Sequence, residues 1–283
     1  MKYYQSEARA KINLSIDVLR KRTDGYHDVK MIMQSVRLHD DIFIEKKKSG
    51  IEISCQFPWV PNDRRNTAYK AAEIIMGKFG IPDGVKIVIS KNIPVAAGLA
   101  GGSSDAASVI LGMNELFSLG MNEDQLAETG KRVGADVPYC IRGGTVLAEG
   151  IGNILTNLNP LPCVDLVLIK PKINVSTPWV YKSLNLEKIK IRPDTEALIK
   201  AITDKRIDYI SKNMVNVLET VTIEKHPVIE EIKRGLVDAG ALGSIMSGSG
   251  PTVFGIFECK AAAQEAFNSL KDDRWDSFLT ETC

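Results

Sequence analysis

The chain has 283 residues, with 36 Lys and Arg against 35 Asp and Glu, a formal charge of +1. That balance excludes binding driven by a broadly basic surface, whether to nucleic acid or to an anionic membrane. A hydrophobic content of 44% with 25% charged residues excludes a disordered or coiled-coil chain, and the length predicts about two domains or one large one. The five cysteines (Cys55, Cys140, Cys163, Cys259, Cys283) are scattered and form no CxxC pair, which predicts reduced thiols in a cytoplasmic setting and no zinc ribbon. Three histidines are too few for a metal cluster. The segment Met1 to Glu7 has no apolar run, so no leader peptide is expected, and no stretch of about 18 apolar residues suggests a membrane span.

The first element is a strand from Ala10 to Val18, where Ala10, Ile12, Leu14, Ile16 and Val18 alternate with Lys11, Asn13, Ser15 and Asp17. Alternation alone reads the polar residues as a solvated face. Thr23-Asp24-Gly25 is a turn signal, and Val29 to Leu38 resumes an apolar run. Asp41 to Lys47 and Ile51 to Cys55 read as a hairpin about a Lys-Ser-Gly turn. Asn66 can cap a helix carrying Ala71, Ala72, Ile74, Ile75 and Phe79, ended by Gly80 and Pro82. Val85, Ile87 and Ile89 mark another strand, and Ala106 to Phe117 repeats at helical spacing. In the second half, Val164 to Ile169 reads as a buried strand. Short helices follow between Pro178 and Glu219, then a helix from His226 to Ala239 closed by Gly240. A strand over Thr252 to Phe257 and a helix over Lys260 to Leu270 complete the reading. Asn157 to Pro162 is the best linker, which places two domains at 1–158 and 159–283. The mixture without a strict βαβ rhythm predicts an α+β fold.

The strongest chemical signal is Pro94-Val95-Ala96-Ala97-Gly98-Leu99-Ala100-Gly101-Gly102-Ser103-Ser104-Asp105-Ala106-Ala107, between a strand and a helix. Glycines let backbone N–H groups converge, and a helix start adds partial positive charge, which together make a phosphate cradle. Ser103 and Ser104 can donate hydroxyl hydrogens or help hold magnesium. It is not a Walker A loop, because no Gly-Lys-Ser/Thr ends it. The bland alternative is a flexible connection with serine caps; the length and composition of this loop outweigh it. A second small-residue loop, Ser247-Gly248-Ser249-Gly250-Pro251-Thr252, taken alone reads as a tight turn.

Lys11 and Asn13 are about 6.6 Å apart along one strand face. Asp136, in Gly134-Ala135-Asp136-Val137-Pro138, is either a capping aspartate or a base. A carboxylate beside a lysine can take a proton from a substrate hydroxyl while the ammonium stabilises developing charge. Tyr26 and Tyr181 are surface or core aromatics, or stack on a base.

Taken together these segments resemble the GHMP kinase superfamily, which includes galactokinase, homoserine kinase and mevalonate kinase. Its three motifs occur in order: Ala10-Lys11-Ile12-Asn13-Leu14, the Pro94 to Ala107 loop, and Met246-Ser247-Gly248-Ser249-Gly250-Pro251-Thr252. Arg22-Thr23-Asp24-Gly25-Tyr26-His27, Met33-Gln34-Ser35-Val36, Gly134 to Pro138 and Gly143-Gly144-Thr145 narrow the match to the branch that phosphorylates a cytidine diphosphate-linked methylerythritol. The resemblance spans most of the chain, to Phe257. It implies two α+β domains, the first like ribosomal protein S5 domain 2 and the second ferredoxin-like, with the active site in the cleft between them. It implies MgATP-dependent phosphorylation of the substrate's 2-hydroxyl in isoprenoid precursor synthesis, with Asp136 as base and Lys11 as its partner.

The same resemblance assigns Asn13, Tyr26, His27, Thr177 and Tyr181 to the cytidine end, with Tyr26 and Tyr181 sandwiching the ring. It assigns Asn66 and Lys91 to adenine and ribose, and Pro94 to Ser104 to ATP. Gly248, Ser249 and Gly250 go to the phosphate and substrate side, and Ser104 is a candidate magnesium ligand. Arg9 stands where the family usually has proline, Ala100 replaces a glycine, and Tyr181 stands where phenylalanine is also seen. The expected partners are small molecules, with no nucleic acid or membrane, acted on by a monomer or weak homodimer. A different GHMP kinase leaves Asp24-Gly25-Tyr26-His27 unexplained. A silent nucleotide-binding relative would be expected to lose Lys11 or Asp136, and an RNA-binding module is poorly served by a charge of +1.

Overall fold

The computed structural model describes residues 2–283. Strands β1 (Tyr3–Lys21) and β2 (His27–Lys47) lead into β3 (Ile51–Cys55), α1 (Thr67–Phe79), β4 (Gly84–Ser90) and α2 (Gly101–Leu116). Next come α3 (Glu123–Lys131), α4 (Val137–Arg142), β5 (Thr145–Gly150), β6 (Ile154–Asn157) and β7 (Asp165–Pro171). The remainder is α5 (Thr177–Ser183), α6 (Thr195–Thr203), α7 (Ile207–Asn213), α8 (Glu219–Lys225), α9 (Val228–Asp238), β8 (Gly243–Met246), β9 (Val253–Phe257), α10 (Lys260–Ser269) and β10 (Trp275–Glu281). The α+β reading holds. No helix among the described residues is long and apolar enough to cross a membrane, and no disulfide links the cysteines.

The chain folds into two interleaved units, the first made of Met1–Ala10, Leu38–Val95 and Ala100–Gly143, the second of Lys11–Arg37, Ala96–Leu99 and Gly144–Cys283. Strands β1 and β2 therefore each contribute to both.

In the first unit, Asp41–Lys47 of β2 pairs antiparallel with β4, and β3 pairs parallel with the other edge of β4. The sequence pattern suggested that Asp41 to Lys47 and Ile51 to Cys55 form a hairpin; instead β4 lies between them. The Ser49-Gly50 turn crosses the end of β4, where the Val85 N–H donates to the Gly50 carbonyl at 2.9 Å. Gly84 permits this, because a Cβ there would run into the Ser49 and Gly50 backbone. Helix α1 starts as expected: the Asn66 carbonyl oxygen accepts from the Ala68 N–H at 2.9 Å, and Gly80 closes the helix at φ 60°. Helices α1 and α2 pack together over a core of Ile42, Ile44, Ile75, Ile87, Val109, Ile110 and Met113.

In the second unit, Val29–Gln34 of β2 pairs antiparallel with β5, which pairs with β6. A separate antiparallel sheet runs β10-β7-β9-β8, with α9 and α10 packed on it. Ile229, Ile232 and Leu236 form the buried stripe of α9 at helical spacing. Strand β1 departs from its pattern. Lys11, Asn13, Ser15 and Asp17 are buried, as are the apolar residues that alternate with them. Alternation reports side-chain chemistry, and here both faces are covered.

Replacing Gly84 by valine forces the Ser49-Gly50 crossing off β4. It should cost about 1–3 kcal/mol of stability, read as a lower urea midpoint. An unchanged midpoint would refute the close approach.

Candidate active site

The second unit brings the three glycine-rich or lysine-bearing motifs into contact. The Lys11 N–H donates to the Leu99 carbonyl at 3.1 Å, so the glycine loop lies against β1. The Lys11 ammonium donates to Asn13 Oδ1 at 2.6 Å, and Asn13 Nδ2 donates to Met31 Sδ at 3.5 Å. Asn13 is completely buried. The third motif closes on the same loop: the Ser247 hydroxyl donates to the Gly98 carbonyl at 3.1 Å, and the Thr252 N–H donates to the Ala97 carbonyl at 3.3 Å. Gly98 sits at φ 77°, and a Cβ there would collide with the Ser247 carbonyl. A Cβ on Gly248 would stand 3.4 Å from Lys11 Nζ.

The residues expected at the cytidine end lie partly together. The rings of His27 and Tyr181 are 5.4 Å apart, and the Thr177 and Ser249 hydroxyls are hydrogen-bonded at 2.7 Å. Tyr26 is 62% exposed, beside the turn closed by the Arg22 N–H on the Tyr26 carbonyl. Burial, then the nearby Lys21 charge, pushes His27 below its usual value, which favours the neutral imidazole. A neutral imidazole carries both a hydrogen-bond donor and an acceptor.

In the first unit, Asp136 occupies the N-cap position of α4, yet its carboxylate makes no capping bond. The capping alternative therefore does not account for this side chain. Helix α2 begins at Ala100, which has φ 58° and provides no side-chain cap. The first N–H groups of such a helix have no intrahelical partners and favour an anion. Ala96 also has φ 52°. For alanine the left-handed region costs about 1–2 kcal/mol per residue, strain that the loop retains.

Two expected ATP contacts have structural roles here. Asn66 uses its oxygen to cap α1 and its Nδ2 to bond the Pro61 carbonyl at 2.9 Å. The Lys91 ammonium is buried between Asp40 and Asp105, bonding Asp105 Oδ2 at 2.9 Å and Asp40 Oδ2 still more closely. Asp40 Oδ1 also accepts from the Asn92 and Ile93 N–H groups, at 2.6 and 2.8 Å. Burial alone would lower Lys91; Asp105 and Asp40 outweigh it and hold the ammonium above its usual value. Burial pushes Asp105 up to about 7, opposed by Lys91 and reinforced by Asp40. Its Oδ1 has no partner. The ammonium lies under the glycine loop, 3.2 Å from where a Cβ on Gly101 would be.

Family models for the GHMP kinase N-terminal and C-terminal domains match residues 66–144 and 198–276. The 4-diphosphocytidyl-2-C-methyl-D-erythritol kinase of Acetivibrio thermocellus is 58% identical over 98% of each chain. The chain belongs to the GHMP kinase family. A crystal structure of 4-(cytidine 5'-diphospho)-2C-methyl-D-erythritol kinase superposes with a TM-score of 0.86 at 32% identity, covering 99% of both chains. The homoserine kinase of Cytophaga hutchinsonii shares the fold, with a TM-score of 0.75 at 20% identity over 100% of this chain and 95% of its own. The two-domain GHMP kinase fold is thus the one observed.

No group of three or more His, Cys, Asp or Glu among the described residues is placed to hold an ion. Ser104 is 3% exposed and its hydroxyl donates to the Arg9 carbonyl at 2.5 Å. Such a donor set does not fit a protein-held cation, which ordinarily needs one or two carboxylates. Sequence reading singled out neither Asp40 nor Asp105 as a site residue, nor Asn216 and Glu219, which hold the third motif. Asp105 adjoins the glycine loop, but the other three have no glycine landmark.

Asp105 makes stability depend on pH. Its folded value of about 7 exceeds the ordinary 3.8, so the folded state binds the proton more tightly. That contribution is full below the ordinary value and is lost as pH rises towards about 7. The stability difference between wild type and Asp105→Asn should therefore shift against the wild type over that window in urea titrations. A pH-independent difference would contradict the assignment.

Proposed function

We propose that the chain is an ATP-dependent kinase that phosphorylates the 2-hydroxyl of 4-diphosphocytidyl-2-C-methyl-D-erythritol, yielding the 2-phosphate and ADP. The product feeds the non-mevalonate route to isoprenoid precursors. The observation that carries the reading is the 58% identity, over 98% of both chains, with a kinase of that name. Homoserine and mevalonate kinases support only the fold, at 20% and 15% identity. A domain boundary at 158/159 belongs to the same proposal; it falls in the gap between family models that end at residue 144 and resume at 198, while residues 11–37 and 96–99 pack with 144–283.

Phosphoryl transfer needs positioning and charge neutralisation more than covalent chemistry. Loop amides from Gly98 to Ser104, at the uncapped start of α2, would take ATP phosphate oxygens. Magnesium carried by ATP would add to that charge neutralisation. Lys11, oriented by Asn13, would neutralise charge that builds on the transferred group. Asp136 takes the 2-hydroxyl proton as the oxygen attacks the γ-phosphorus; its carboxylate is not engaged in capping α4. Tyr26, His27, Thr177 and Tyr181 hold the cytidine, and Gly248, Ser249 and Gly250 complete the phosphate side. Asn66 and Lys91 act on ATP through the structure they support. A cytoplasmic monomer or weak homodimer acting on small molecules completes the reading.

ADP release should be much faster with the cytidylyl substrate than with homoserine, mevalonate or galactose; preference for any of the latter overturns the substrate. Lys11→Ala and Asp136→Asn should each slow turnover by about a hundredfold or more with unchanged circular dichroism. Near-normal rates in both would overturn the two roles.

A further inference from the structure

We propose that Asn216 is a positioning residue for phosphoryl transfer, holding the Met246–Gly248 turn in place beside Lys11, with Glu219 as its second anchor. The inference rests on the kinase reading and on the role given there to Lys11. Asn216 follows α7 and is 2% exposed. Its backbone segment is tied to the strand that carries Lys11. The Ile16 N–H donates to the Val215 carbonyl at 2.9 Å, and the Val217 N–H donates to the Ile16 carbonyl at 3.1 Å. From that fixed base, Asn216 Nδ2 donates to the Met246 carbonyl at 2.8 Å and to the Gly248 carbonyl at 2.8 Å, while Oδ1 accepts from the Leu218 N–H at 3.0 Å. Both amide hydrogens are used on the turn.

Glu219 holds the turn from a second point. Its Oε1 accepts from the Met246 N–H at 2.8 Å and its Oε2 from the Lys233 ammonium at 2.6 Å. Met246 is thus held by both its N–H and its carbonyl. The turn is closed internally by the Ser247 N–H on the Thr252 carbonyl at 2.8 Å and the Gly250 N–H on the Ser247 carbonyl at 2.9 Å. A carbonyl and the N–H of the same trans peptide point in opposite directions. Fixing the Gly248 carbonyl on Asn216 therefore also fixes the direction of the Ser249 N–H. Gly248 is the residue whose Cβ would lie 3.4 Å from Lys11 Nζ. The Asn216 side chain bonds the turn and the Leu218 N–H, so it acts on Lys11 through the turn.

The test uses the full chain, ATP and the cytidylyl substrate. Two variants are compared. Asn216→Asp keeps the size but turns the double donor into acceptors facing two carbonyls. Asn216→Ser removes the amide and leaves one hydroxyl donor. The folded variants should lose about a hundredfold in kcat, with KM for ATP shifting far less. The decisive readout is coupling with Lys11→Ala. If Asn216 works by setting the turn beside Lys11, the Asn216→Ser change should slow the Lys11→Ala protein by no more than about twofold. Losses that multiply in the double variant would show a role independent of Lys11 and overturn the inference. Near-wild-type kcat in a folded Asn216 variant would also overturn it, as would failure of both variants to fold, which would mark the residue as structural. A wild-type protein that releases no ADP with the cytidylyl substrate would instead overturn the kinase reading, and this inference with it.

Discussion

Gly98 and Gly248 face each other at a distance that admits no side chain. A Cβ on Gly98 would strike the Ser247 carbonyl, and one on Gly248 would lie 3.1 Å from the Gly98 carbonyl. This close backbone approach lets loops from distant parts of the sequence reach the same few residues of β1. The Lys11 N–H takes the Leu99 carbonyl, and the Lys11 ammonium sits beside Gly248. On the proposed reading, donors for the ATP phosphates are thereby gathered by backbone geometry, with little added charge. The near balance of 36 basic and 35 acidic residues is consistent with anion recognition by a few groups rather than by a basic surface.

The first unit solves a related problem at a higher energetic cost. Its glycine loop leads into α2 without a side-chain cap, leaving the first amides of the helix available to a ligand. Beneath it, one ammonium is buried with two carboxylates. Burying unequal charge is unfavourable, and the structure offsets it by filling both oxygens of Asp40 and raising the proton affinity of Asp105. Ala100, held at positive φ, adds strain at the start of the same helix. Stability given up near a binding loop is a common feature of sites that must be held ready for a ligand.

Much of this was legible in the residues. The alternation of β1, the Asn66 cap, the Gly80 stop and the apolar run of β7 each have a direct physical signature, and the structure contains each element. Of the candidate site residues, only the Pro94 to Ala107 loop had a signature of its own, in its length and composition; the Ser247 to Thr252 loop and Lys11, read alone as a tight turn and a solvated strand face, were singled out by the family resemblance. Burial of the polar row of β1 was not legible, since what covers Asn13 and Ser15 is distant in sequence. The order of β3 was misread because a short loop between two strands favours a hairpin, and only Gly84 hinted at a strand passing between them. Helix α3 has a signature of its own in the sequence, the Asn122 and Gln125 capping box. Asn216 had none, because an asparagine in a loop looks alike whether it faces solvent or holds two carbonyls.

The central claim is that locally gathered donors direct the γ-phosphoryl group of ATP onto a substrate hydroxyl. Phosphorus NMR of a reaction containing the protein, ATP and the cytidylyl substrate tests it most directly. A new phosphate monoester signal should grow in step with ADP while the diphosphate linkage of the substrate stays intact. Inorganic phosphate as the only new signal, or breakage of the diphosphate, would contradict it.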